Sequence, residues 1–381
     1  MKNIGILGST GSIGKQTLDV ILNHQDKFNV KFLAANSNAE ILVGQCEKFN
    51  PDYICIYDES KYDFLKKNTD VKNILCGHKG LIDLCELSGL DIVLNAIVGY
   101  KGLEPTIKII ESGTDIALSN KESIVQAGHI VMELAKSNNV NIFPVDSEHS
   151  ALWQCLVGEE NNQIKKIILT ASGGPFRTLS KSEFNNITVP QALNHPNWSM
   201  GNKISIDSAT MMNKGFEMIE AFWLFNVNPD QIQIVVHPQS IIHSMIEYID
   251  GSIKAQLSTP SMKIPIQYAL SYPKRYELPD FDFNIKEFSN LELYDVDMKK
   301  FTCITLAYEA ITKGGSYPVV LNVANDLAVD LFLNEKIKFN QIPELIKDAM
   351  DNHKHIDMPS LSDILSITKL TENYINSRFK S

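Results

Sequence analysis

The chain has 381 residues, more than one ordinary domain holds, so two or three domains are expected. Apolar residues make up 44% and charged residues 21%, the proportions of a globular protein long enough to bury large cores. A formal net charge of -10 argues against a nucleic-acid groove as the main function, but leaves room for a local basic pocket that takes a phosphorylated small molecule. The six cysteines (Cys46, Cys55, Cys76, Cys85, Cys155, Cys303) form no C-x-x-C pair. That is the scatter of buried thiols in a reducing cytosol, not a disulfide frame or a zinc site. The chain begins directly on a strand-like "IGILG", with no signal peptide and no apolar run of transmembrane length. A soluble cytoplasmic protein with no membrane partner is expected.

Through about residue 145, short apolar runs alternate with amphipathic stretches. The runs are "NIGILG", "VKFLAAN", "YICIYD", "DIVLNAIVG", "DIALSN" and "VNIFPVD"; "KQTLDVILNH" and "AEILVGQCEKF" lie between them. This alternation predicts a parallel sheet with crossover helices. From about 146 to 285, "KKIILTAS", "KISIDSA", "IQIVVHP", "HSMIEYI" and "SIKAQLS" read as strands, the last two joined by an Asp250-Gly251 hairpin turn. The helical pieces "HSALWQCLVG", "NKGFEMIEAFWLF" and "SMKIPIQYAL" make this a mixed α+β segment. Within it, about 172–202 is long, polar and rich in Gly and Pro, and reads as a lid. A Pro- and Asp-rich connection, "YELPDFDFNI", leads into four helical stretches from about residue 300, a small bundle.

"GILGSTGSIGKQTLDV" places Gly8, Gly11 and Gly14 between the first strand and a helix, where glycines let backbone approach a pyrophosphate at the helix N-terminus. The second strand ends at Asn36-Ser37-Asn38, with no acid to grip a ribose 2′-hydroxyl. Small polar groups there favour NADP; alternatively Ser37 is an N-cap in a capping box with Glu40. Asp146 and Glu148 are two apart, so an extended strand end puts both carboxylates on one side, suited to Mg²⁺ or Mn²⁺. The competing reading makes Asp146 or Ser147 the N-cap of the following helix. Glu217 and Glu220 lie one turn apart on an apolar helix and are candidates for a third ligand. Ser208, Asn213 and Lys214 form a phosphate or polyol cradle, with Ser172 near "SGGP". "NHPNWSMG" puts His195 and Trp198 in the lid; Trp198 is either a cover over a ligand or a core anchor. His237 and His243 read as hydrogen-bonded structural histidines; His24, His78, His353 and His355 read as surface residues.

Taken in order, "GSTGSIG", "NKES", "PVDSEHSA", "SGGPFR", "HPNWSMG", "KISIDSATMMNKGFE" and "HPQSIIHSM" resemble the 1-deoxy-D-xylulose 5-phosphate reductoisomerase family, and the resemblance covers essentially the whole chain. It implies an N-terminal Rossmann-like doubly wound α/β domain (1–146), a central α+β catalytic domain (147–285), a connection (286–299) and a C-terminal helical bundle (300–381). It implies NADPH, a divalent metal (Mg²⁺, Mn²⁺ or Co²⁺), a small phosphorylated sugar substrate and a homodimer. It carries Asp146, Glu148 and Glu217 over as metal ligands, choosing Glu217 over Glu220, and places Lys121 beside metal and substrate. Ser147, Ser172, His195, Trp198, Ser208, Asn213 and Lys214 match substrate positions. Thr10, Gly11, Ser12, Ile13, Asn120, Glu122 and Gly201 match cofactor positions, as does the Asn36-Ser37-Asn38 segment. Some members carry Gly-Lys-Asn at that segment; the lysine is absent here. The implied reaction is a carbon-skeleton rearrangement followed by hydride reduction, in the non-mevalonate isoprenoid pathway. Two other classes compete. A semialdehyde or homoserine-type dehydrogenase would lack the Asp-Ser-Glu element and, if acylating, need a reactive cysteine; an NADP-binding sensor would need no metal ligands.

Overall fold

The computed structural model describes residues 1–159, 162–198, 200–279, 281 and 285–379. Ser199 of the expected lid, and Asp280, Asp282, Phe283 and Asn284 of the Pro- and Asp-rich connection, lie outside the described residues. The chain divides into two compact units. One comprises Met1–Ser123, Val131–Ser150 and Ser261–Asp282; the other comprises Ile124–Ile130, Ala151–Pro260 and Phe283–Ser381.

In chain order the elements begin β1 (Lys2–Leu7), α1 (Ser12–Leu22), β2 (Phe28–Ala35), α2 (Ala39–Phe49), β3 (Tyr53–Ile56), α3 (Tyr62–Asn68), β4 (Asn73–Cys76), α4 (Gly77–Cys85), β5 (Ile92–Asn95), α5 (Leu103–Glu111), β6 (Asp115–Leu118), α6 (Lys121–Ser137), β7 (Ile142–Pro144) and α7 (Ser147–Leu156). They continue β8 (Ile164–Ala171), α8 (Val189–Leu193), α9 (Asn202–Thr210), α10 (Met212–Phe225), β9 (Ile232–Val236), β10 (Ile242–Tyr248), β11 (Ile253–Leu257), α11 (Lys263–Ser271), β12 (Tyr294–Asp295), α12 (Thr302–Lys313), α13 (Tyr317–Leu333), α14 (Gln341–Asp351) and α15 (Leu361–Arg378).

The first unit holds a seven-stranded parallel sheet in the order β4-β3-β2-β1-β5-β6-β7. Its central strands are buried on both faces, so they read as unbroken apolar runs (Ile4, Ile6, Leu33, Ile54, Ile92 and Leu94 among them). Strand order reverses between β1 and β5, and open α/β sheets form their ligand crevice at such a switch point. The expected Rossmann-like α/β architecture is present. Sequence reasoning did not resolve β4 and the short helices around it. Helix α11, read with the central segment from sequence, belongs to the first unit: Ile266, Ala269 and Leu270 share the core of β1 and α1, and Lys2 Nζ donates to Leu270 O at 3.0 Å.

The second unit holds a mixed sheet, β11-β10-β8-β9-β12, in which only β8 and β9 are parallel. The β10–β11 hairpin turns at Asp250-Gly251, with Gly251 at φ +86° and Gly251 N donating to Tyr248 O at 3.0 Å. Helices α12 to α15 form the expected helical C-terminal region. "KISIDSA", expected as a strand, is helix α9. Its alternating isoleucines mimic period 2, but its buried positions are Ser205, Ile206, Asp207, Ala209 and Thr210, and the Lys203–Asp207 pair (2.8 Å) closes at helical i,i+4 spacing. The expected lid is partly ordered: it contains a 3-10 turn (Lys181–Asn186) and α8, each opened by a capping box. His353, expected at the surface, is half-buried, with Nε2 2.7 Å from Ser316 Oγ.

Candidate active site

The turn between β1 and α1 depends on absent side chains. Gly8 has φ +82°, and a Cβ on Gly14 would lie 2.3 Å from Gly8 O. Helix α1 starts at Ser12 after N-cap Gly11, which has no side chain to cap it, and Gly11 and Ser12 are both exposed. Thr10 is buried and Ile13 half-buried. This is a backbone cradle with a positive helix end, the shape an anionic diphosphate fits. At the end of β2, Asn36, Ser37 and Asn38 are exposed. The Ser37–Glu40 capping box expected from sequence does not form. Asn38 is the N-cap instead, its carbonyl accepting from Leu42 N at 3.2 Å, and no side chain caps α2. Of its first amides, Ala39 N donates to Ser37 O at 2.9 Å, and none is capped by a side chain of Asn38.

The second group of the first unit lies around the start of α7. Strand β7 ends at Pro144 and α7 starts at Ser147, so the strand alternation expected to align Asp146 and Glu148 is not the reason they share a site. Asp146 takes the N-cap position, its carbonyl accepting from Ser150 N at 2.9 Å. Glu148 stands in the first helical turn, and Ser147 Oγ donates to Glu148 Oε2 at 2.6 Å. The chain has already turned into helix at Ser147. Asp146 pairs with Lys121 at the start of α6, both side chains only 10% exposed. Burial pushes the Asp146 carboxyl up, but the Lys121 ammonium, then His149 and a hydrogen bond with Glu148, together hold it well below the usual carboxylate range. Two acidic side chains within hydrogen-bonding reach repel unless a proton or cation is shared, so this donor set fits a hard divalent ion.

In the second unit, β8 ends in the Ser172-Gly173-Gly174 turn. A Cβ on Gly174 would lie 2.7 Å from Ser208 O, so the turn sits directly against α9. Met211, at φ 63°, closes α9 and opens α10, which carries Asn213 and Lys214 in its first turn and Glu217 in the next. Glu217 and Glu220 are both 1% exposed, so neither pairs at the surface; Asn213 and Lys214 both donate to Glu217. His195 Nδ1 accepts from Trp198 N at 3.0 Å and Asn197 N at 3.2 Å, which puts the ring proton on Nε2, 3.0 Å from Ser172 Oγ. Ser172 Oγ also accepts from Gly174 N at 3.2 Å, leaving its own proton to donate outward. Trp198 is half-buried, its ring 6.4 Å from that of His243. Gly201, exposed, caps α9. His243 and His237 are hydrogen-bonded to Ser258 Oγ and Glu292 O, each at 2.8 Å, as expected for structural histidines.

Burial pushes the His195 ring down to about 4 from 6.5. Between those values the unfolded chain holds the extra proton, so stability from this residue is complete above pH 6.5 and is lost as pH falls toward 4. Replacing His195 with Asn, which keeps an acceptor for the Asn197 and Trp198 amides, flattens that part of the pH dependence. Urea melts across the window, parent against variant, check it.

Three family profiles match the chain: 1-deoxy-D-xylulose 5-phosphate reductoisomerase over residues 4–128, its C-terminal domain over 142–225, and the DXP reductoisomerase C-terminal domain over 257–374. The chain belongs to the 1-deoxy-D-xylulose 5-phosphate reductoisomerase family. The enzyme of that name from Chloroherpeton thalassium is 50% identical over 377 residues, covering 98% of this chain and 97% of its own. That from Thermoanaerobacter pseudethanolicus is 50% identical over 382 residues, with complete coverage of both. Among solved structures, the Zymomonas mobilis reductoisomerase in complex with NADPH superposes with a TM-score of 0.93 at 39% identity, covering 100% of this chain and 99% of that one. A reductoisomerase in complex with NADPH, fosmidomycin and magnesium gives 0.93 at 38% identity, covering 100% and 98%.

Within this reductoisomerase fold, the first unit holds the glycine turn, Asn36–Asn38, and the Lys121, Asp146, Ser147 and Glu148 group; the second holds Ser172, His195, Trp198, Ser208, Asn213, Lys214 and Glu217. Asn120 is 1% exposed and N-caps α6, its Nδ2 donating to Ile97 O at 2.7 Å, Gly99 O at 2.8 Å and Glu122 Oε2 at 3.1 Å. Thiol chemistry finds no nucleophile in the buried cysteines: burial pushes Cys55, Cys85 and Cys303 up to about 12 and Cys155 to about 11. Sequence reasoning passed over Asn95, Thr106, Asp207 and Asn325, all buried and hydrogen-bonded. The one signal for Asn95 was a polar residue closing an apolar run, "DIVLN".

Proposed function

We infer that this protein is an NADP-dependent oxidoreductase that rearranges and reduces 1-deoxy-D-xylulose 5-phosphate to 2-C-methyl-D-erythritol 4-phosphate, using NADPH and a divalent metal, in the non-mevalonate isoprenoid pathway. The observation that carries it is the Lys121–Asp146–Glu148 group in the same α/β unit as a glycine-lined turn at a helix N-terminus. Reductive chemistry on a sugar phosphate needs both a hydride-donor site and a cation site.

Asp146, Glu148 and Glu217 are the residues that would hold Mg²⁺, Mn²⁺ or Co²⁺. Thr10, Gly11, Ser12, Ile13, Asn120, Glu122 and Gly201 would contact NADPH, with Asn36, Ser37 and Asn38 taking the 2′-phosphate. When bound, NADPH supplies the hydride and the ion supplies Lewis-acid stabilisation of negative charge developing on substrate oxygens. Ser172, Ser208, Asn213 and Lys214 bind the substrate phosphate, remote from the reacting carbons, so that binding energy orients the reacting end. Ser172 contributes its outward hydroxyl proton, which neutral His195 fixes by occupying an oxygen lone pair. Ser147 binds a substrate hydroxyl beside the carboxylates, Lys121 holds a proton near them, and Trp198 excludes water. A homodimer in the cytoplasm completes the reading; no described helix is long and apolar enough to cross a membrane.

The test is consumption of NADPH against NADH with 1-deoxy-D-xylulose 5-phosphate, with and without Mg²⁺ or Mn²⁺. Oxidation that requires substrate, metal and the 2′-phosphorylated cofactor is expected. Full activity after chelation would sink the metal assignment, and no product at all would favour an NADP-binding sensor.

A further inference from the structure

Strand β5, beside the glycine turn, ends on a polar residue that the chemistry above leaves unused. Asn95 is 0% exposed, and so is Thr106 on α5. Asn95 Oδ1 accepts from Ile97 N at 3.1 Å, and its Nδ2 donates to Gly102 O at 3.0 Å and Thr106 Oγ1 at 2.9 Å. Thr106 Oγ1 directs its one proton between Gly102 O at 2.8 Å and Ser123 Oγ at 3.3 Å, donating to both. Ser123 bonds Asn120 through both its amide (3.1 Å) and its hydroxyl. Asn120 closes the ring on Ile97 O and Gly99 O.

A buried polar ring is no more stabilising than well-packed apolar side chains, but it admits far fewer arrangements, because each broken member leaves an unpaired group. What it specifies here is the path of residues 96–102 and the start of α6. Two parts of the site depend on that path. A Cβ on Gly8 would lie 2.7 Å from Ala96 O, so this segment forms one wall of the glycine turn. Lys121, whose ammonium pairs with Asp146, directly follows Asn120.

We propose that Asn95 and Thr106 are positioning residues for the reaction: through Asn120 they set the 96–99 segment against the cofactor turn and the backbone of Lys121 against Asp146. This rests on the reading that NADPH occupies the glycine turn and that Lys121 works beside the substrate. Packing alone would show only in the melting temperature. Positioning couples two readouts, NADPH affinity and kcat, to one hydroxyl.

The experiment compares Thr106→Val, close in shape but without the hydroxyl, with Thr106→Ser, which keeps it, in the full chain. NADPH binding is followed by fluorescence titration, kcat by NADPH oxidation and folding by melting. Thr106→Val is expected to weaken NADPH binding and lower kcat, each by about tenfold, while Thr106→Ser stays within about twofold of the parent. Gly102→Ala approaches the ring from outside, since its Cβ would lie 2.5 Å from the Asn120 side chain, and is expected to produce the same paired loss. It carries the test alone if Thr106→Val does not fold. A folded Thr106→Val or Gly102→Ala with parental NADPH affinity and kcat overturns the proposal. A parent protein that binds no NADPH overturns the functional reading, and this inference with it.

Discussion

Glu148→Gln folds like the parent and turns over about 10²- to 10³-fold more slowly, with part of the loss recovered at raised Mg²⁺ or Mn²⁺. The substitution is nearly isosteric, and the amide oxygen still accepts the Ser147 hydroxyl that now bonds Glu148 at 2.6 Å. The side chain is only half-buried, so an amide there meets no large desolvation penalty. What disappears is one of two neighbouring carboxyl groups. Without metal, the amide can still donate to Asp146, so the variant stays about as stable as the parent. With metal, one oxygen donor loses its charge, and the affinity gained by folding around the ion falls. Because a ligand that binds only the folded state raises stability by mass action, the metal-induced rise in melting temperature is smaller in the variant. Parental activity together with a parental thermal shift would remove Glu148 from the ligand set.

How much of this was legible in the sequence depends on the range over which each feature is set. The glycine turn is local: Gly8 and Gly14 are needed by atoms only a few residues away, so the spacing alone identifies it. "VDSEHS" was legible as chemistry but not as geometry. The residue types identify an acidic cluster, whereas the point where strand becomes helix follows from the backbone bond between Ser150 and Asp146. "KISIDSA" misled because alternation is a two-residue signal, and the helix is decided by burial at Ser205, Ile206, Ala209 and Thr210 together. Asn38 takes the N-cap position that Ser37 could equally fill by residue type, so residue type alone does not choose between them. The Asn95–Thr106–Ser123–Asn120 ring was illegible, since its members lie 11 and 17 residues apart at their contacts and each alone reads as an ordinary polar residue.

Lys121→Met is the complement of Glu148→Gln, because it removes the opposite charge from the same group. Lys121 and Asp146 are each 10% exposed, so the variant leaves a buried carboxylate without its main counter-charge, a loss of about 3–5 kcal/mol at neutral pH. The sign of the pH dependence identifies the cause. In the parent, the Asp146 carboxyl titrates below its unfolded value of 3.8, so its contribution to stability is present above pH 3.8 and is lost as pH falls through the folded value. Without the lysine that depression largely goes. The deficit of the variant is therefore widest at neutral pH and narrows on acidification. A divalent cation held by Asp146 replaces the missing positive charge, so Mg²⁺ or Mn²⁺ raises the melting temperature of Lys121→Met by more than it raises that of the parent. Turnover falls in both variants, yet their metal-induced thermal shifts move in opposite directions, smaller for Glu148→Gln and larger for Lys121→Met. Loss of a residue that merely stabilises the fold does not generate that opposition. A Lys121→Met shift equal to or below the parental one would separate the lysine from the metal site, leaving the Lys121–Asp146 pair a structural contact of α6.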